Sequence, residues 1–318
     1  KWLALLVATM LALQPLAFPV SAAPADDVAP PEAWGPIPTE TQLQYHEEEL
    51  SAFIHFGVNT FTGVEWGNGR ENPNVFHPTG LDTDQWVKAL KDAGFERIIM
   101  IGRHHDGFCL WNSDYTTQDV ASSTDFQATQ AARGQSGDVL EELSKSCTKY
   151  DMDMGFYLSP WDANNPTYGY GSGTDEETDS NGDYNEYYMN QLREVLGNPK
   201  YGNNGKFVEV WMDGAKGSGA AAQHYKFQEW FDLIEELQPG AVVFSPSGST
   251  IRWIGNESGK AGDPCWSKLD QQRQRNYYDT YGGDEAAYLN SGDPNGDIWS
   301  IGECDVSLTS GWFWKSGK

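Results

Sequence analysis

The run Phe207-Val208-Glu209-Val210-Trp211-Met212-Asp213-Gly214-Ala215 constrains this chain more than any other stretch. Alternating apolar residues rich in valine and aromatics read as a buried strand, and that strand stops at an aspartate followed by glycine. A strand-terminal Asp before Gly is commonly a turn former or a helix cap. In a parallel α/β barrel, an acid at the C-terminal end of a strand instead stands in the mouth of the active site. A second acid, Glu257, follows in Arg252-Trp253-Ile254-Gly255-Asn256-Glu257-Ser258-Gly259, among glycines that suit a loop. Two carboxylates on barrel loops are the minimum equipment for cleaving a glycosidic bond.

The pattern around that run favours a barrel. Continuous apolar strands are predicted over 51–58, 97–101, 154–158, 207–212 and 241–244. Between them lie helix patterns over 82–93, with Gly94 as stop, over 138–149, with Glu141 placed for capping, and over 223–237, halted by Pro239. Apolar strands separated by helices imply a parallel sheet buried on both faces. His55 lies within the first predicted strand, His104-His105 follow the second, Tyr157 and Trp161 mark the third, and Asp213 ends the fourth. A doubly wound sheet gathers its ligands at one switch point, whereas a barrel gathers them from many strand ends. The fold class expected is therefore α/β, a (β/α)8-like TIM barrel. Polar, glycine-rich stretches over 163–184 and 258–296 read as functional loops.

Composition narrows the partners. The formal net charge of -25, from 46 acidic and 21 basic residues, repels phosphate backbones and argues against nucleic acid. With 13 Trp, 15 Tyr and 14 Phe, aromatic faces are plentiful for packing on sugar rings, although core packing accounts for most of them. Residues 1–25 read as a secretory signal peptide: Lys1, the apolar run 2–13, then Ser21-Ala22-Ala23-Pro24-Ala25 at the cleavage site. The opening on Lys1 rather than methionine suggests that the natural start lies further upstream. A secreted or periplasmic location is expected, with no membrane association after cleavage. A proline-rich lead-in over 26–40 then precedes a catalytic domain over 41–318. Cys109, Cys147, Cys265 and Cys304 match no zinc spacing and could pair in an oxidising compartment. Cys147, beside Leu140 and Leu143 on a helix face, reads instead as a buried thiol.

Six motifs occur in order: Phe53-Ile54-His55-Phe56-Gly57; Glu65-Trp66; His104-His105-Asp106-Gly107-Phe108; Tyr157-Leu158-Ser159-Pro160-Trp161; Trp211-Met212-Asp213; and Arg252 to Glu257. Together they resemble the α-L-fucosidases of glycoside hydrolase family 29 over about residues 40–318. Gly255-Asn256-Glu257, with Glu303-Cys304-Asp305, is similar to the branch that acts on α-1,3 and α-1,4 fucosyl linkages of Lewis-type glycans. The resemblance implies a retaining double displacement with Asp213 as nucleophile and Glu257 as general acid/base. It also implies that His55, Glu65, Trp66, His104, His105, Tyr157, Trp211 and Arg252 surround the fucose. The partner implied is a fucosylated oligosaccharide or glycoconjugate, and no cofactor is required. Arg103 stands where the family commonly has lysine. Past Gly311-Trp312-Phe313 the family continues into a further helix and strand, so the barrel is expected to lack its C-terminal strand and any accessory β-domain.

The chemistry agrees with these roles independently. One carboxylate must be ionised for attack while the other is protonated to release the leaving oxygen, and Trp253 near Glu257 would help raise the second pKa. A metal on His104-His105-Asp106 is disfavoured, because adjacent residues on an extended chain point to opposite sides. The rival reading is a lectin-like protein that binds fucose in an unfinished barrel without turning it over.

Overall fold

The computed structural model describes residues 29–169, 182–215, 223–248, 250–275 and 284–315. The predicted signal peptide and residues 170–181 of the first polar loop lie outside the described residues. Gly35–Lys318 is one compact unit, and residues 29–34 of the preceding segment carry neither helix nor strand. Among the described residues no helix is long and apolar enough to cross a membrane.

Nine strands form among the described residues: β1 Ser51–Ile54, β2 Arg97–Arg103, β3 Asp153–Leu158, β4 Glu209–Trp211, β5 Val242–Phe244, β6 Ile251–Trp253, β7 Lys268–Leu269, β8 Ile298–Trp299 and β9 Ile301–Glu303. Seven of them make one sheet in the order β1-β2-β3-β4-β5-β6-β9, with every neighbouring pair parallel. β7 and β8 form a separate antiparallel pair. Side chains alternate between two cores, as a strand's period of two requires. Ile98, Met100, Met154, Phe156, Leu158, Val210 and Val243 face the helices. Ile99, Ile101, Tyr157, Trp211, Val242, Phe244, Ile251 and Ile301 face the inside of the sheet.

Contacts across the inner face show that the sheet is curled. The Phe53 ring on β1 lies 4.9 Å from Trp211 on β4, and Trp211 Nε1 donates to Glu303 Oε1 on β9 at 2.7 Å. Strand direction, order and curl match the expected barrel. The sheet is open, in keeping with the expectation of an incomplete barrel: among the described residues no ladder joins β9 to β1, so the structure is a curled parallel half-barrel of seven strands.

Helices follow the sequence pattern with shifted ends. Asp82 caps Thr83–Asp92 by accepting from Gln85 N–H at 3.0 Å, and Asp138 caps Val139–Tyr150 by accepting from Glu141 N–H at 2.9 Å. The predicted helix 223–237 begins only at Phe227 and ends at Leu237. Cys147 is buried as expected, and all four cysteines are free thiols.

Three expectations are corrected. The strand predicted over 51–58 ends at Ile54, because Gly57 opens a short helix, Val58–Thr62; His55 therefore follows the strand rather than lying in it. The segment around Arg252, read as a loop, contains β6. The polar stretch 258–296 holds β7 and the helices Gln271–Arg275 and Asp284–Ser291.

A charged cluster sits at the N-terminal ends of the inner strands. Arg97 opens β2 and pairs with Glu209, which opens β4, at 3.1 Å; its other partner is Glu48, just before β1. Tyr45 donates to Glu303. Burial and the neighbouring Glu303 carboxyl push Glu209 well above the usual carboxylate range. Buried polar groups at this end of such sheets serve stability.

Candidate active site

The opposite edge of the sheet carries the chemistry. Asp213 follows β4, and both of its oxygens are held. Tyr157, on β3, donates its hydroxyl to Oδ2 at 2.9 Å, and the Ala215 backbone N–H donates to Oδ1 at 2.7 Å. The carboxylate is thereby fixed in orientation at the floor of a small cleft.

His104 and His105 follow β2. Gly107 turns the chain at φ +84°, where a Cβ would meet Asp162 Oδ1 at 2.4 Å, so only glycine fits. Asp106 fixes the same turn by accepting from Phe108 N–H at 2.8 Å and from Asn59 Nδ2 at 3.0 Å. Burial raises its pKa to about 7. Because the chain turns, both imidazoles face one cleft with ring centroids 4.0 Å apart. This corrects the expectation that adjacent side chains diverge: that rule holds for extended chain, and the strand has ended at Arg103. His104, His105 and Asp213 each offer a ligand atom, all within 4.8 Å of one another.

Hydrogen bonding sets the His105 tautomer. Ser159 donates its hydroxyl to Trp161 O at 2.8 Å, so at 2.7 Å it can only accept from His105 Nδ1–H. Nε2 then carries a lone pair and stands 3.8 Å from Asp213 Oδ2. Two acceptors side by side, facing a cleft, suit a sugar hydroxyl that donates to them. Burial is the main cause holding His104 and His105 below the ordinary imidazole value and His55 down to about 3, so all three are neutral. His104 Nδ1 is buried without a hydrogen-bond partner, an atom a ligand hydroxyl would satisfy.

Glu257 closes the cleft from the loop after β6. Gly255 takes φ +79°, and a Cβ there would meet Ala286 O at 2.1 Å. The glycine two residues before the acid therefore allows this loop to pack against Asp284–Ser291. Trp312 donates its indole N–H to Glu257 Oε2 at 3.2 Å. Desolvation raises the Glu257 pKa, the Trp312 hydrogen bond opposes that rise, and the nearby Asp213 and Glu65 charges add to it. Trp253, expected to form an apolar wall for Glu257, donates to Asp305 Oδ1 at 3.2 Å and does not itself line the cleft.

The cleft brings together His55, Trp66, His104, His105, Tyr157, Trp211, Asp213 and Glu257. Two of the expected residues are placed differently. Glu65 is near enough to influence Glu257 but does not line the cleft. Arg252 is fully buried away from it, donating Nε to Leu289 O and Nη2 to Trp266 O, each at 2.7 Å, and Nη1 to Ser300 O. Its guanidinium braces three backbone segments, contacts that serve the fold. Arg252→Met should leave those carbonyls unsatisfied and lower stability by on the order of 3 kcal/mol. Thermal unfolding should report the loss while KM for a fucoside stays within about twofold; a raised KM at unchanged melting temperature would restore Arg252 to the sugar site.

Phe53, Asp305 and Trp312 also line the cleft, although the sequence assigned them no place in the site. Burial and the nearby Glu303 and Glu257 carboxyls push Asp305 up to about 8. Aromatic stacks back the lining side chains. Trp161 stacks on His105 at 4.7 Å, Tyr157 on Trp211 at 5.3 Å, and Trp211 on Phe244 at 3.9 Å.

A curled parallel α/β sheet with three carboxyls, three buried imidazoles and aromatic side chains at its C-terminal edge has the layout of a sugar-cleaving hydrolase. The α-L-fucosidase family profile matches residues 33–263. The chain is similar to "Alpha-L-fucosidase 1" of Arabidopsis thaliana, with 43% identity over 89% of this chain and 51% of that protein. A putative α-L-fucosidase 1 of Oryza sativa is 41% identical over 94% of this chain and 52% of its own length. Among solved structures, a Ruminococcus gnavus GH29 fucosidase in complex with fucose superposes with a TM-score of 0.76 at 43% identity, covering 91% of this chain and 59% of that one. The chain belongs to the α-L-fucosidases of glycoside hydrolase family 29. It spans about half the length of the curated relatives it matches.

Proposed function

We propose that this chain carries the catalytic site of a retaining α-L-fucosidase that releases α-linked fucose from fucosylated glycans, with α-1,3 and α-1,4 linkages of Lewis-type structures as its preferred substrates. The observation that carries this reading is the contrast between its two carboxyls. Asp213 is gripped by donors on both oxygens, whereas Glu257 faces the same cleft with its pKa raised by desolvation. Environments that separate two carboxyls in this way support distinct roles for them.

In the first step Asp213 attacks the anomeric carbon while Glu257 donates its proton to the departing glycosidic oxygen, forming a covalent fucosyl ester on Asp213. In the second step the now ionised Glu257 takes a proton from water, which attacks the same carbon and releases fucose from the ester. His55, His104 and His105 stay neutral, so each can accept from or donate to a fucose hydroxyl. Trp66, Trp211 and Tyr157 offer aromatic surface to the apolar faces of the sugar. We further propose that the protein is exported, as the leader pattern over 1–25 suggests.

The test is fucose release from a Lewis-type trisaccharide beside an α-1,2-linked fucoside, with the anomer formed first read by NMR. Preferential cleavage of the Lewis substrate and α-fucose as first product support the reading; β-fucose as first product would overturn retention.

Two further results are expected. Activity needs the protonated form of Glu257 for the first step, so kcat/KM should fall as pH rises through the raised Glu257 pKa. Burial lowers all three imidazoles, so they should contribute no acid limb at their ordinary value of about 6.5. A profile that collapses below about pH 6.5 would point to a charged histidine in the working enzyme. Exhaustive dialysis against EDTA should leave kcat/KM unchanged, because both steps run on the two carboxyls. A loss restored by zinc would reassign His104, His105 and Asp213 as metal ligands.

A further inference from the structure

The segment that follows β9 contributes more to the cleft than a wall. Phe313 is buried and packs edge-on against His55 at 5.3 Å and His104 at 5.0 Å. That anchor places the preceding residue, Trp312, with its indole stacked on His55 at 5.0 Å and 23°. From there its N–H reaches Glu257 Oε2 at 3.2 Å. The same two segments are joined one residue beyond Glu257, where Ser258 forms an isolated antiparallel bridge with Val306. Glu257 is thus tied by backbone on one side and by an indole on the other.

We propose that Trp312 is the positioning residue of Glu257, aiming its carboxyl at the scissile oxygen in the first step and steadying the ionised carboxyl that activates water in the second. The proposal rests on the reading of Glu257 as the acid/base. An indole N–H is a donor only, so it hydrogen-bonds the carboxylate without competing for its proton. Held by the stack on His55, it has little freedom to turn away. His55 is neutral, so the stack brings no charge to the pair. The charged or titratable groups that face Glu257 are Asp213 from the end of β4, Glu65 from the segment after β1, and Asp305 from the segment after β9. Trp312→Phe leaves all three in place.

The direction of the pH effect follows. A hydrogen bond to the charged form favours ionisation, and removing it lets Glu257 keep its proton to higher pH. Trp312→Phe retains the stacked ring and removes only the donor. The alkaline limb of kcat/KM should therefore move upward, while kcat at neutral pH on a natural glycan falls about tenfold through lost aim of the carboxyl. KM should change by less than about threefold. Trp312→His, whose Nε2–H reaches about as far from the backbone as the indole N–H, should recover most of the rate.

The decisive measurement is a double-mutant cycle with Glu257→Ala, assayed on an aryl fucoside with an activated leaving group. If Trp312 acts through Glu257, Trp312→Phe costs less than about twofold once the carboxyl is gone. A loss of the same size in both backgrounds, or an unmoved alkaline limb, would overturn the proposal and leave Trp312 as an aromatic wall. If Trp312→Phe melts early, the cycle is read with Trp312→His, for which a wild-type limb and near wild-type rate support the proposal and a tenfold loss overturns it. Should Glu257→Ala itself show no dependence on the leaving group, the acid/base reading fails together with this one. The single variant thus separates failure of the underlying reading from failure of the Trp312 role.

Discussion

Asp213→Ala should leave a protein that unfolds cooperatively close to the wild-type temperature and binds fucose, yet releases none from any substrate. The loss in kcat should be on the order of 10⁴-fold or more, about 5 kcal/mol of transition-state stabilisation. Three features of the site set that scale. The carboxylate is the only attacking group proposed, so without it no covalent ester forms and both steps are lost. The leaving group cannot compensate, because even an activated aryl fucoside needs a nucleophile at carbon. The groups that hold Asp213, the Tyr157 hydroxyl and the Ala215 N–H, remain as donors around a vacated volume that small anions can enter. Formate or azide should then restore slow turnover, with inversion of the product anomer. Single-turnover kinetics with the aryl fucoside, followed by NMR of the first product, checks the result. Wild-type turnover in this variant would remove Asp213 from the mechanism and return it to the turn-forming role that Asp-Gly ordinarily plays.

Much of this arrangement was legible in the chain because strand ends announce themselves. Apolar alternation stops where β2, β3 and β4 stop, and the residues just past each stop are His104-His105, Trp161 and Asp213. Local pattern also marks the caps: Asp82 and Asp138 both hold the first turn of a helix. What pattern could not supply was contact between segments distant in sequence. Arg252 sits in a motif shared with Glu257, but its side chain points to carbonyls at 266, 289 and 300 that no local rule connects. Glu65 is adjacent to Trp66, and only the second lines the cleft. The short strands β6 to β9 lie among Gly, Asn and Asp because they are two or three residues long, too brief for alternation to register. Trp312 illustrates the limit best. One tryptophan among thirteen carries no signal of its own until the fold brings it 3.2 Å from an acid fifty-five residues earlier.

The His104-His105 pair shows how a sound local rule can give the wrong answer. Side chains of neighbouring residues diverge along a strand, which counted against a shared metal ion in the sequence, even though the family resemblance implied both imidazoles around the fucose. The chain leaves β2 at Arg103 and turns within four residues through Gly107. Arg103 itself is fully buried, paired with Asp162 at 2.8 Å and bonded to Gln191 at 2.7 Å. It fixes the end of β2 against the loop after β3 and the helix Gly182–Leu196. The buried ion pair and hydrogen bonds beneath the turn hold it in place, and the turn points both imidazoles into the cleft.

Glu257→Ala should divide substrates by leaving group, which Asp213→Ala should not. A natural glycan departs as a strongly basic alkoxide unless it is protonated, so its cleavage should fall by about 10²–10⁴-fold. An aryl fucoside bearing an acidic phenol needs little protonation, and its first step should fall far less. The second step still lacks its base, so the fucosyl ester on Asp213 should accumulate and produce a burst of phenol followed by slow turnover. Azide needs no general base. It should enter the space left by the Glu257 carboxyl, attack the ester and give α-fucosyl azide, accelerating the steady state without changing the burst. The altered pH dependence follows from the same group: with Glu257 removed, the alkaline limb attributed to its raised pKa should vanish from kcat/KM for the glycan. Burst kinetics, azide titration and the pH profile thus interrogate one carboxyl in three ways. Equal losses on both substrate types, with no azide product, would deny Glu257 the acid/base role and turn attention to Asp305, a further cleft carboxyl whose burial pushes its pKa up to about 8.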